Sequence, residues 1–258
     1  MRIAAVALSF ALLCAPAHAA RCTAQSAAGT TALVELYTSE GCDSCPPADN
    51  WLSSLGSRGY APARVVPLAL HVDYWDYIGW KDPYAKREFA TRQRRHAAMQ
   101  RARVVYTPQV LLQGRDFRAW HSEAFDRELD KINRQPALAS ILLTMDTARS
   151  GFFDVEAITM LKDGVSSRDP ALYLAAYENK LASTVLAGEN RGHTLRHDYV
   201  VLEWTGPLRL GSARRLEERR SLPLLPKAVK AHSGVVAFVQ DRGTGQVLQA
   251  LMLPACAN

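Results

Sequence analysis

Short apolar runs alternate with amphipathic stretches in the first part of the chain. The run at 32–37 (ALVELY) suits a buried strand, and the segment from residue 42 or 45 to about 55 places its apolar side chains on one helical face. A second apolar run at 64–71 predicts another strand. Its central Pro67 indicates an edge position or a bulge, because proline cannot donate a ladder hydrogen bond.

The following segments continue a strand–helix order up to residue 136. An Asp-Pro step begins a predicted helix over 82–101, and strands are predicted at 109–113 and, more briefly, at 117–120. A further helix is predicted at 121–133. The order βαβα and then ββα, with a parallel first half, is that of the thioredoxin fold.

After residue 136 the apolar positions recur with a period of two. Turn residues separate the segments, and the charged, proline-broken stretch 212–230 predicts a loop with a helical turn. We therefore expect an α/β thioredoxin-like domain followed by a mostly antiparallel β-sandwich-like domain. The alternating segments are 140–146, 153–161, 171–177, 199–204, 235–240 and 247–253.

The first residues have the pattern of an export signal. Arg2 precedes an apolar run at 3–15 that is too short to span a bilayer, and a small-x-small site predicts cleavage after Ala19 or Ala20. The alternative is an uncleaved anchor. We expect a periplasmic or secreted protein. The predicted organisation is a signal peptide at 1–19, a leader segment at 20–30, a thioredoxin-like domain at 31–136 and a β-rich domain at 137–258.

Composition and charge narrow the expected partners. The chain has 258 residues and a formal net charge of +6, a modest excess that implies weak attraction to acidic surfaces at most. The basic helix face at 86–103 is typical of a solvated surface, with an acidic partner or membrane surface as the alternative. For an exported protein we expect no nucleic-acid partner, and no stable membrane insertion after signal cleavage.

Four cysteines remain once the signal is removed, namely Cys22, Cys42, Cys45 and Cys256. In an exported protein an even number indicates disulfides, and four cysteines allow three pairings. Cys42 and Cys45 are too close in sequence for an ordinary structural bridge. We predict a structural disulfide between Cys22 and Cys256, with free thiols on frayed ends as the alternative. Closing that loop would stabilise the fold by roughly 4–5 kcal/mol.

The candidate chemistry lies in the motif TSEGCDSCPPAD at 38–49, between a predicted strand and a predicted helix. A helix N-terminus carries unpaired N–H groups and a partial positive charge, which stabilise a thiolate. We assign Cys42 as the exposed nucleophile and Cys45 as the deeper resolving thiol, the two catalytic residues. The carboxylates of Glu40 and Asp43 oppose the thiolate and predict a less acidic Cys42.

Thr107 and Pro108 precede the third predicted strand of the first half. In the thioredoxin fold a cis proline at this place faces the dithiol, and the residue before it pairs with a bound peptide. Cis peptide bonds are essentially confined to proline. We therefore predict a cis Pro108 and a substrate-binding role for both residues, with an ordinary trans turn proline as the alternative.

An aromatic loop follows His71, at the end of the second predicted strand. Because ligand sites gather at this edge of open α/β sheets, His71, Asp73 and Trp75 are further candidates for substrate binding. One alternative is simple packing of the loop. Another is a Cu(I) or Zn(II) site formed by Cys42, Cys45 and His71. No other cofactor is indicated.

A polar group in the second half either completes this site or only forms a turn and the start of a strand. Both interpretations stay open from the sequence. The group consists of Glu189, Asn190, His193, His197 and Asp198.

Several motifs together resemble an uncharacterised secreted family with a thioredoxin-like fold, domain of unknown function 1223. The resemblance covers nearly all of the mature chain and implies fold and compartment, but little about activity. Thioredoxin has a Trp before its first cysteine and Gly-Pro between the pair, which this chain lacks, so a reducing role is not carried over. The motifs are VELYTSEGCDSCPPAD (34–49), HVDYWDY (71–77), GWKDP (79–83), YTPQV (106–110), GENRG (188–192) and TLRHD (194–198).

The leading hypothesis is an exported thiol–disulfide oxidoreductase using the Cys42-x-x-Cys45 dithiol. Its partners would be protein or small-molecule thiols and disulfides. The alternative is a non-enzymatic binding module, either a copper or zinc metallochaperone or a partner-docking protein. Redox direction, physiological substrate and oligomeric state are not indicated by the sequence.

Overall fold

A computed structural model describes residues 21–256, and the predicted signal peptide at 1–19 lies outside them. Within this range the chain forms fourteen strands and three α-helices. The strands are β1 (Arg21–Gln25), β2 (Ala32–Thr38), β3 (Val65–His71), β4 (Gln109–Leu112), β5 (Arg115–Asp116), β6 (Ala139–Asp146), β7 (Phe152–Leu161), β8 (Pro170–Glu178), β9 (Leu181–Thr184), β10 (Thr194–His197), β11 (Val200–Arg209), β12 (Arg215–Pro223), β13 (Ser233–Asp241) and β14 (Val247–Pro254). The helices are α1 (Pro46–Ser54), α2 (Arg87–Met99) and α3 (Glu123–Asn133), with 3-10 turns at Asp73–Ile78 and Lys230–His232.

One mixed sheet of eight strands runs through the molecule in the order β14-β13-β8-β11-β3-β2-β4-β5. β2 and β3 are parallel, and β11 joins β3 in parallel where Val200 lies opposite Ala69. The other pairings in this sheet are antiparallel. Strands from before and after residue 136 therefore share one hydrogen-bonded sheet.

The predicted α/β thioredoxin-like domain followed by a β-sandwich-like domain is wrong as a fold class. The structure is mostly β, with 42% strand and 18% helix, and its large sheet shows no thioredoxin pattern. The physical reason is that alternation and apolar runs identify strands without identifying their partners. The prediction placed the strands before and after residue 136 in separate domains, whereas β11 pairs with β3 in one sheet. The boundary at residue 136 stays a prediction.

Pro67 lies in an internal strand, whereas the sequence indicated an edge position or a bulge, and the local pairing explains why it is tolerated. The N–H of Ala69 donates to the carbonyl of Tyr199 at 2.8 Å, on the β11 side. Because alternate residues of a strand point their N–H groups to the same side, Pro67 also faces that side. β11 joins β3 only from Ala69 onward, so no partner carbonyl is left unpaired opposite Pro67.

Both faces of the large sheet are covered, which accounts for its continuous apolar strands. On one face, Phe89 of α2 packs with Leu68 and Tyr173. On the other, α1 and α3 pack over β2 and β4 through residues such as Leu52 and Phe125. A separate four-stranded antiparallel sheet, β1-β6-β7-β12, packs on strands β8, β13 and β14 of the large sheet. The cysteine motif therefore lies at the end of a buried central strand.

Several elements differ from the sequence prediction. β1 forms within the predicted leader 20–30 by pairing with β6, and β12 forms within the predicted loop 212–230 by pairing with β7. β12 is mostly solvent-exposed, so its charged residues hide the strand pattern. The short strand predicted at 117–120 lies earlier, as β5. The hairpin β9-β10 was not predicted and belongs to neither of the two larger sheets.

A disulfide joins Cys22 to Cys256, with a Cα–Cα distance of 5.8 Å, and confirms the predicted pairing. It ties β1 to the end of β14. Together with a second disulfide near α1, it is typical of an extracytoplasmic protein. Among residues 21–256, no helix combines the length and apolar character needed to cross a bilayer.

His96 on α2 is buried and contacts the carbonyl of Gly114 through Nδ1 at 3.1 Å. Burial lowers the pKa of His96 to about 4 from an ordinary value of 6.5. The unfolded chain therefore takes up this proton at a higher pH than the folded protein does. We expect about 3 kcal/mol of stability to be lost as pH falls from 6.5 to 4.

The variant His96→Gln tests this pH dependence, because glutamine keeps a donor for Gly114 and does not titrate. Urea unfolding at several pH values should show a flatter profile between pH 6.5 and 4 for the variant. Parallel profiles for the two proteins would rule out His96 as the source.

Candidate functional site

Cys42 and Cys45 form a disulfide in the turn between β2 and α1, with a Cα–Cα distance of 5.5 Å. Cys45 is the residue that precedes the helix, and Pro46 and Pro47 occupy its first positions, where a missing N–H costs little. The N–H of Cys45 donates to the carbonyl of Cys42 at 3.2 Å. The pair is therefore held at a helix N-terminus, where unpaired N–H groups favour a thiolate.

Both cysteines are fully buried, each with 0% exposure. Cys42 was predicted to be the exposed nucleophile, but in the structure its side chain is buried. Its neighbours Asp43 and Ser44 are exposed, so the turn reaches the surface while its sulfurs do not. A group reaching the disulfide must displace something that packs against the turn.

The segment that meets the turn from the second half of the chain is the loop 186–192, at the tip of the β9-β10 hairpin. The side-chain amide of Asn190 donates to the carbonyls of Glu40 and Cys42 at 2.9 and 3.0 Å. Glu189 accepts from the N–H of Asp43 at 3.1 Å. Two members of the polar group noted in the sequence thus contact the cysteine turn directly.

Trp75 connects the cysteine turn to the predicted substrate residues. A Cβ on Gly41 would lie 3.1 Å from the Cβ of Trp75, so glycine permits this close approach. The indole N–H of Trp75 donates to the hydroxyl of Thr107 at 2.7 Å, and the ring of Tyr77 stacks on the indole. The Thr107–Pro108 peptide bond is cis, as predicted.

Pro108 borders an open groove of about 430 Å³. Val104 stands on its rim with 66% of its surface exposed. The groove is mostly apolar, and apolar grooves with a few polar groups are typical of binding sites. Its lining residues are Val104, Tyr106, Pro108, Val110, Arg118 and Trp120.

His71 lies beneath the cysteine turn, fully buried, rather than at the surface. Its Nδ1–H donates to Asp82 at 2.7 Å, and the same carboxylate oxygen accepts from the backbone N–H of Glu40 at 2.8 Å. Burial opposes the charged imidazole, but Asp82 more than offsets it and raises the pKa of His71. Burial likewise acts against ionised Asp82, and His71 outweighs it and lowers the pKa of Asp82.

A second buried pair lies beside the first. Glu40 accepts from Nε2 of His197 at 3.1 Å and from the indole of Trp80 at 2.8 Å. The rings of His71 and His197 are 4.9 Å apart, and each has one buried nitrogen without a hydrogen bond among the described residues. The Glu40 carboxylate, expected to act on Cys42, is thus engaged with these two partners.

Asp49 on α1 completes a buried cluster of acidic and histidine side chains, which we define as Glu40, Asp49, His71, Asp82 and His197. The hydroxyl of Thr38 donates to Asp49 at 3.1 Å, and burial raises the pKa of its carboxyl group. The N–H of Asp49 donates to the carbonyl of Cys45 at 3.1 Å. Asp49 and Asp82 were not among the predicted site residues, although Asp49 follows Cys45 by one helical turn.

The remaining candidates are placed as follows. Asp73 begins the 3-10 turn and, among the described residues, has no hydrogen bond to the cysteine turn. Within residues 21–256, no group of three or more His, Cys, Asp or Glu side chains could hold a metal ion. A site made of Cys42, Cys45 and His71 would require reduction of the disulfide and release of His71 from Asp82.

Comparison with known proteins identifies a family and a shared fold. A family model described as "Protein of unknown function (DUF1223)" matches residues 33–240. A crystal structure of an Agrobacterium tumefaciens protein is similar, with 23% identity, a TM-score of 0.61, and coverage of 89% of this chain and 96% of that one. HBP35 of Porphyromonas gingivalis is similar with 13% identity and a TM-score of 0.65, over 89% of this chain and 76% of that one. No curated protein matches the chain.

Proposed function

This chain belongs to the DUF1223 family, whose description names no activity, and from that premise we propose that it is an exported thiol–disulfide oxidoreductase. The observation that carries the proposal is the Cys42–Cys45 disulfide at the start of α1, linked through Trp75 to the cis Thr107–Pro108 step. A dithiol with two intervening residues at a helix N-terminus is the arrangement that lowers a cysteine pKa and supports exchange.

The proposed reaction balances two electrons and two protons. In the reduced protein, the Cys42 thiolate attacks a substrate disulfide, forms a mixed disulfide and expels one substrate thiolate, which is protonated. The Cys45 thiolate then attacks the Cys42 sulfur, closing the protein disulfide and expelling the second substrate thiolate. The substrate is reduced and the pair is oxidised, and the reverse sequence oxidises a substrate dithiol.

Other residues act around the dithiol in this proposal. Thr107 and Pro108 hold substrate, with the groove beside Pro108 receiving its apolar part and Trp75 supporting the Thr107 side. His71 acts as a positioning residue, since its partner Asp82 holds the backbone of Glu40 beside the turn. We place the protein in the periplasm or outside the cell, which the two disulfides and the signal-like N-terminal pattern support.

Replacing Cys42 with serine should abolish exchange altogether, because the attacking sulfur is absent. The mature protein is equilibrated in glutathione buffers of graded potential, and its free thiols are then alkylated and counted by mass spectrometry. The unaltered protein should show one reversible two-electron transition, while Cys42→Ser and Cys45→Ser show none. The matched control, with Cys22 and Cys256 both replaced by alanine, should keep the transition. If the Cys42–Cys45 pair does not exchange with glutathione at any potential, the proposal is refuted.

A further inference from the structure

The Cys42–Cys45 disulfide is not accessible to a partner thiol in the structure. Thiol–disulfide exchange needs the attacking sulfur to contact a protein sulfur, and both Cys42 and Cys45 have 0% exposure. Some part of the surrounding structure must therefore move before the pair reacts.

The contacts of the loop 186–192 make it the element suited to move. It holds the turn by three hydrogen bonds, two from Asn190 and one to Glu189. Asn190 is itself buried, with 6% exposure, and sits directly against the carbonyl of Cys42. Glu189 is exposed, so its bond to Asp43 is open to competition by water.

The hairpin that carries the loop is not hydrogen-bonded into either of the two larger sheets. β9 and β10 pair only with each other, so displacing their tip breaks no bond of the two larger sheets. Gly188 and Gly192 flank the contact residues with φ of +75° and +86°, and glycine changes such angles at low cost. At its base the hairpin stays anchored, through His197 to Glu40 and Ser183 to Tyr84.

We propose that the loop 186–192 is a gate over the Cys42–Cys45 disulfide, with Asn190 as its main latch and Glu189 as a weaker one. The inference rests on the proposed function and adds positioning residues to it. In the closed state Asn190 fixes the carbonyls of Glu40 and Cys42 and so orders the turn. Opening releases those carbonyls and admits the partner thiol, which makes release of the loop a condition of exchange.

The experiment measures how fast dithiothreitol reduces the Cys42–Cys45 disulfide in the folded mature protein. Asn190→Ala removes two hydrogen bonds from the closed state and should raise the rate constant at least about tenfold. Glu189→Ala, at an exposed position, should raise it by about twofold to threefold. The neighbouring exposed residue supplies the matched control, since Arg191→Ala leaves the latch intact and should keep the original rate.

Two further readouts separate a gate from general loosening. Opening of the loop alone should leave the rate nearly independent of low urea concentrations, whereas reaction through global unfolding rises steeply with urea. In strong denaturant all variants should react equally, since only the folded state has a gate. Unchanged rates in both Asn190→Ala and Glu189→Ala, or increases that follow global unfolding, would overturn the proposal. Because dithiothreitol reduces any accessible disulfide, this result is independent of whether the pair exchanges reversibly with glutathione.

Discussion

Replacing Arg92 with methionine is expected to lower the free energy of unfolding by about 3–5 kcal/mol, because the carboxylate of Glu35 is then left unpaired in the core. Glu35 is fully buried in β2. Arg92 reaches it from α2 with two parallel hydrogen bonds, at 2.7 and 2.9 Å. Burial alone would raise the pKa of Glu35, and Arg92 reverses this and lowers it.

The same guanidinium group packs among three aromatic rings, so its loss also leaves a gap. Its carbon lies 5.0 Å from the ring centre of Tyr173, 5.1 Å from that of Trp204 and 5.2 Å from that of Phe238. These rings belong to strands of the second half of the chain, whereas Glu35 belongs to the first. Arg92 therefore joins the two halves within one core.

Urea unfolding at neutral pH measures this loss. Arg87→Met is the matched control, because Arg87 is exposed on the same helix and should change stability by less than about 0.5 kcal/mol. A double variant with Glu35→Leu and Arg92→Met should be less destabilised than Arg92→Met alone, since no unpaired charge remains. A cost below about 1 kcal/mol for Arg92→Met would contradict the assignment.

Removing the terminal disulfide is the second large effect that we expect. Cys22 and Cys256 are separated by 234 positions, so their bond restricts nearly the whole unfolded chain. In the chain-entropy model, replacing both with alanine should cost about 5 kcal/mol. The shift should be seen in the urea midpoint without reductant, relative to the unaltered protein.

The other disulfide supplies the control for this comparison. Cys42 and Cys45 are separated by only 3 positions, so replacing both should cost roughly 2 kcal/mol in the same model. Equal losses from the two double variants would show that loop entropy does not account for the stabilisation.

Local pattern was sufficient for much of the secondary structure and for the pairing of Cys42 with Cys45. The apolar runs of β2 and β3 and the prolines at the start of α1 are signals carried by neighbouring residues. The Cys22–Cys256 pairing and the cis Pro108 were also predicted correctly. The disulfide pairing depended on compartment and on the number and position of the cysteines, and the cis proline on an expected proline before a strand, so neither required knowledge of how β3 pairs with β11.

The fold class and the surroundings of the cysteine pair were decided only by tertiary structure. Charged β12 lacked an apolar alternation because it is a mostly exposed edge strand of its sheet, and β3 showed no sign of its partner β11. The contact of Asn190 with Glu40 spans 150 positions. Such pairings have no local signature, because their stabilisation arises only when the sheet brings the strands together. The sequence by itself thus determined a disulfide-forming pair at a helix start, and the tertiary structure decided that the pair is buried and that residues of the loop 186–192 bind the backbone of its turn.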